Sequence, residues 1–126
     1  MTNLQREAEE WLERRYKGMT FEEYQEAAKK TAIYPSTHRV LYPALGMAGE
    51  AGEVANKVKK LVRDGLEKQP DDWRQQIASE IGDVLWYCAA LAHDLNIPLA
   101  QIAAQNRDKL LARKEAGTIG GSGDKR

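Results

Sequence analysis

The chain has 126 residues, 42% hydrophobic and 30% charged, with 19 acidic against 19 basic side chains. That is room for a single domain with one core, and the composition of a soluble globular fold. The neutral balance gives no long-range field for a nucleic acid polymer or an anionic membrane, no apolar run approaches the ~20 residues that span a bilayer, and the lone Cys88 excludes an intrachain disulfide.

The first ten residues are polar and include Glu7, Glu9 and Glu10, unlike a secretory signal. With no disulfide to form, the expected location is the cytoplasm. A first helix is expected over residues 4–17, stopped by Gly18. A second opens at Thr20, where Glu23 three residues on completes a capping-box pattern, and fades near Tyr34-Pro35. A loop follows to Pro43. A third helix is expected over 44–63, stopped by Asp64-Gly65, and a polar connection runs to Pro70. Asp71 or Asp72 can cap a fourth helix that continues to Asp94, where Asn96 suits its end. Pro98 suits the first turn of a fifth, running to Glu115. Residues 1–116 therefore form one domain, an all-α bundle of about five helices with a four-helix core. Residues 117–126 contain four glycines and no core pattern, and are expected to be a flexible tail.

Two acidic pairs stand out. Glu50-x-x-Glu53 lies on the third helix and Glu80-x-x-Asp83 on the fourth. Residues three apart are neighbours on a helix surface. At ~100° per residue, Met47, Glu50, Val54, Val58 and Leu61 share a face, with Glu53 and Lys57 on its margin. On the fourth helix Ile77, Glu80, Val84, Cys88 and Leu91 share a face, with Asp83 and Tyr87 on its margin. Acids beside an apolar stripe must be paired, hydrated, protonated or metal-bound. Hard oxygen donors without a histidine or cysteine cluster suit Mg²⁺, with Mn²⁺ as a substitute. Gly49, Gly52 and Gly82 each precede an acid inside a helix and point to close approach of a neighbour or ligand. Either pair alone reads as a solvated helix face; the two together, on apolar faces of consecutive helices, point to the metal. Cys88, within an apolar run, reads as a buried and inert thiol.

The runs LGMAGEAGEV (45–54) and EIGDVLWY (80–87) resemble the MazG-like group of all-α nucleoside triphosphate pyrophosphohydrolases, whose pattern is E-E-x-x-E, a spacer, then E-x-x-D. The likeness covers roughly residues 34–113. It implies a metal site of Glu50, Glu53, Glu80 and Asp83, and Mg²⁺-dependent hydrolysis of a (deoxy)nucleoside triphosphate to the monophosphate and pyrophosphate. The task implied is nucleotide-pool control or housecleaning. Sibling activities on dCTP, dUTP or phosphoribosyl-ATP stay open, as does a non-catalytic helical interaction module. Gly49 stands where the pattern often has a leading glutamate. Glu50 and Glu53 are both candidates for the catalytic base.

The same resemblance marks Asn106 and Lys109 on the fifth helix as substrate contacts. Asn106 falls in an apolar stripe with Leu99, Ile102, Ala103 and Leu110, where burial would demand partners. Arg113 reads more simply as helix-dipole complementarity. Lys57 can meet phosphate or pair with Glu53, Tyr87 can stack on a base or sit in the core, and His38 can contact a base or stay solvated. Trp11, Trp73 and Trp86 suggest core or subunit packing. The family's architecture implies a homodimer or homotetramer.

Overall fold

A computed structural model describes residues 1–121. Its elements are α1 (Asn3–Tyr16), α2 (Phe21–Lys29), α3 (Leu41–Asp64), α4 (Trp73–Asp94) and α5 (Leu99–Glu115), with single 3₁₀ turns at Ser36–His38 and Leu66–Lys68. The described residues hold five α-helices and no strand, so the chain is all-α as expected. Residues 122–126 of the expected tail lie outside the described residues.

Helix termini follow from local chemistry. Thr2 accepts from the Gln5 amide while the Gln5 side chain accepts from the Thr2 amide, a full capping box before α1. Thr20 accepts from the Glu23 amide, but Glu23 returns only to the Thr20 hydroxyl, so half of that box forms. At the end of α4, Asn96 takes φ 59°. Its amide donates to the His93 carbonyl and the Ile97 amide donates to Ala92, which makes a Schellman stop. Gly117 repeats that stop after α5, with φ 70°.

Two boundaries differ from expectation. α2 ends at Lys29, several residues before Tyr34. α3 begins at Leu41, not Ala44, and takes Pro43 into its first turn, where a missing N–H costs nothing. Asp72 stands at the N-cap of α4 without bonding a backbone amide; it accepts from the Gln76 side chain instead.

α3 and α4 form an antiparallel pair, and Gly46 meets Tyr87, Met47 meets Cys88, and Lys57 meets Glu80 across it. A Cβ on Gly46 would overlap the Tyr87 ring, so this glycine permits the contact. α2 crosses α4 and the start of α5 through a small core of Ala28, Ala89, Ala92 and Leu99, flanked by Tyr24 and Trp86. Gln25 locks the crossing: its Oε1 accepts from the Leu99 amide at 2.9 Å and its Nε2 donates to the Ala89 and Ile97 carbonyls. The Trp86 indole N–H donates to the Thr31 hydroxyl at 2.7 Å. Thus Trp86 belongs to the packing, whereas Trp11 is more than half exposed. The Cys88 thiol is pushed up by burial, which fits the inert reading.

The segment between α2 and α3 is pinned by one carboxylate. Asp94 Oδ2 accepts from the Tyr34 hydroxyl at 2.7 Å and from the Val40 amide at 2.9 Å. Burial, then the bond to Asp94, pushes the Tyr34 phenol up to about 12. Tyr42 stacks on Tyr34 at 4.7 Å. Val40 takes φ 67°, ψ −55°, and the Leu41 amide bonds the Arg39 carbonyl at 2.7 Å. That is a γ-turn of the strained, positive-φ form.

Candidate metal centre

The antiparallel pairing of α3 with α4 brings the two acidic motifs to one level. Glu50, Glu80 and Asp83 each offer a carboxylate oxygen, and these oxygens lie within 4.8 Å of one another. Glu50 and Glu80 are partly buried and Asp83 is exposed. Such a group is electrostatically unfavourable by itself. Partial desolvation, then the charge of Asp83, then a hydrogen bond with Glu80 hold the Glu50 carboxyl above the usual carboxylate range. A divalent cation would relieve the mutual repulsion, and three hard oxygens on facing helices fit Mg²⁺ or Mn²⁺.

Glu53 stands apart from this trio. It is exposed, yet close enough to add to the rise at Glu50. Lys57 does not pair with Glu53. Its Nζ reaches across to Glu80 Oε1 at 3.7 Å, with both side chains largely covered. Tyr87 borders the acids, and the charges of Glu50 and Asp83 both help to raise its phenol, after burial and a bond with Tyr42. It also lies edge-on to Trp86 at 5.0 Å. The glycine expectation is corrected. A Cβ at Gly49, Gly52 or Gly82 would meet nothing within 4 Å, and Gly46 is the position where closeness matters.

Other expected contacts are not gathered at the acids within this chain. His38 is exposed on the 3₁₀ turn whose neighbourhood Asp94 pins. Asp94 lies eleven residues along α4 from Asp83, or about 16 Å of helix. Asn106 and Lys109 are exposed on α5. Asn106 is therefore not buried in an apolar stripe, because α5 docks through its first turn at Leu99 while Ile102 and Leu110 stay open. Arg113 is buried instead, at 6% exposure. A concavity of about 390 Å³ is lined by Glu22, Gln25, Glu26, Lys29 and His93, and none of the acids borders it. The acid cluster lies on a flank of the α3–α4 pair, with Asp83 open to solvent.

Sequence reasoning missed Gln25, Asp94 and Gly46. Gly46 stood in the quoted motif, one residue before the core face; Gln25 and Asp94 carried no spacing signal.

Residues 37–118 match the MazG nucleotide pyrophosphohydrolase domain. The chain is also similar to the gene 37 protein of Mycobacterium phage L5, with 45% identity over 109 residues that span 82% of this chain and 96% of that protein. No solved structure matches.

Proposed function

The chain belongs to the MazG nucleotide pyrophosphohydrolase family, and from that premise we propose that it hydrolyses a (deoxy)nucleoside triphosphate to the monophosphate and pyrophosphate with Mg²⁺ as cofactor. The observation that carries this reading is the convergence of Glu50, Glu80 and Asp83 from two helices. They are the residues that would hold the cation. When bound, the cation would offset the triphosphate's negative charge and make water a better nucleophile.

The chain's own residues have separate tasks. Glu53, outside the oxygen triangle, is the base: it takes a proton from water as the water oxygen bonds to phosphorus and the anhydride bond between the α- and β-phosphates breaks. Pyrophosphate leaves with the electrons of that bond. Glu50 is then a ligand rather than the base. Lys57, now paired with Glu80, is placed to turn to phosphate once a cation takes over that carboxylate. Tyr87 sits at the rim for a sugar or base contact.

The working unit is a homodimer or homotetramer. The chain exposes 9821 Å², whereas a compact chain of 14.2 kDa exposes roughly 6,800 Å². More than about 2,000 Å² per chain is in surplus, beyond the ~800 Å² that each partner gives to a standard interface. Leu41, Leu45, Val62, Ile81 and Leu111 are all more than half exposed. A second copy supplies the wall that the open acid flank lacks, and brings His38, Asn106 and Lys109 within reach of a nucleotide.

A panel of ribo- and deoxyribonucleoside triphosphates, with dCTP, dUTP and phosphoribosyl-ATP included, tests the reading with Mg²⁺ present. The expected products are monophosphate and pyrophosphate in equal amounts. Release of inorganic phosphate instead, or no turnover of any nucleotide by folded protein, contradicts it.

A further inference from the structure

Among the described residues, α1 is the one α-helix with no buried residue. It lies outside the family match at residues 37–118. An isolated 14-residue helix is marginal in water, so a helix of this length normally rests on a partner surface. Its sequence is patterned for one. At ~100° per residue, Leu4, Ala8, Trp11, Leu12 and Arg15 fall on one stripe. Leu4, Trp11 and Leu12 are 77%, 54% and 43% exposed. Arg15 lies over the Trp11 ring at 5.4 Å, so its stem extends the stripe.

The charges of α1 are split along its axis. The first half carries Glu7, Glu9 and Glu10 against Arg6, and the second carries Arg14, Arg15 and Lys17 against Glu13. A parallel pair of such helices would set like against like. An antiparallel pair sets acidic halves against basic halves, with Glu7 within about 3 Å along the axis of Arg14 of the other copy. The same register, crossing near residues 9–10, places Leu4 opposite Arg15 and Ala8 opposite Trp11. The small Ala8 leaves room for the indole.

We propose that α1 pairs antiparallel with α1 of a second copy of this chain through the stripe of Leu4, Ala8, Trp11, Leu12 and Arg15. The surplus surface of each chain exceeds what a single standard interface covers, so a contact at α1 coexists with one on the bundle. A lipid surface fits less well, since membrane-lying helices carry mainly Lys and Arg on the polar face and this one carries four glutamates. The pairing does not depend on the hydrolase reading.

The experiment measures mass in solution for the full chain, for Trp11→Glu, and for a chain lacking residues 1–17. The expected result is that both variants have half the assembly mass of the parent and keep the helical circular dichroism of residues 21–115. An unchanged mass overturns the proposal. Orientation is read by cross-linking in a Cys88→Ser background with a bismaleimide of about 10 Å reach. Antiparallel pairing joins Ala8→Cys to itself, and Asn3→Cys to Tyr16→Cys in a mixture, but not Asn3→Cys to itself, whose separation is about 20 Å. Self-linking at Asn3→Cys overturns the antiparallel arrangement. Halved mass without a link at Ala8→Cys overturns pairing with α1 in favour of docking on the other copy's bundle. Vesicle binding lost with Trp11→Glu while mass is unchanged assigns the stripe to lipid. Nucleotide turnover is followed separately, so failure of the hydrolase reading is distinguishable from failure here.

Discussion

The end and the middle of the α3–α4 pair treat carboxylates in opposite ways. At the end, Asp94 accepts from the Tyr34 hydroxyl and the Val40 amide, and is satisfied by the fold. Midway along the pair, Glu50, Glu80 and Asp83 face one another, with Lys57 reaching across to Glu80. Asp83 and Asp94 belong to the same helix. A carboxylate with neutral donors holds structure together, whereas carboxylates turned toward each other keep a demand for positive charge that only a ligand can meet in full. On the proposed reading, the difference separates the part of the molecule that is finished on folding from the part that awaits a cation.

Removing a side chain from each place sharpens that contrast. Glu53→Gln, beside the acid trio, is expected to lower turnover at least ~100-fold while leaving the circular dichroism and melting temperature at their parent values. Wild-type turnover in this variant would move the base elsewhere. Asp94→Ala, at the end of α4, is expected to lose about 1–3 kcal/mol of stability, because two donors lose their acceptor. Denaturant melts at fixed protein concentration give the number, and no loss would break the comparison. The same bond makes an alkaline prediction. Tyr34 is raised to about 12, so its contribution is complete below pH 10 and is lost as pH rises toward 12. The smallest effect is a gain. Val40→Gly relieves a positive-φ strain, partly offset by glycine's greater freedom when unfolded, and is expected to add about 1 kcal/mol.

The helices were readable because capping and periodicity are local. Thr20 starts a helix and Asn96 ends one, through bonds made within a few residues. The start of α3 was not readable, since Pro43 is a breaker in mid-helix and harmless in a first turn. Asn106 was misjudged because helical spacing defines a face without saying what lies against it. Ile102 and Leu110, on that face, are only partly covered within this chain. The acids were readable as pairs on their helices, while the separation of Glu53 from the trio depends on how α3 is turned against α4. Gln25 and Asp94 act across more than fifty residues of chain, and no spacing rule reaches that far.

Calorimetric titration of Mn²⁺ into the nucleotide-free chain, run across pH, tests the cation site most directly. A carboxyl raised in the fold favours the metal-free chain at low pH, and its proton must leave for metal to bind. The expected affinity therefore rises with pH through the raised range of Glu50, with proton release, then levels off, and Asp83→Asn weakens it sharply. No binding at any pH, or binding that ignores both pH and Asp83→Asn, would show that these three acids do not hold the ion.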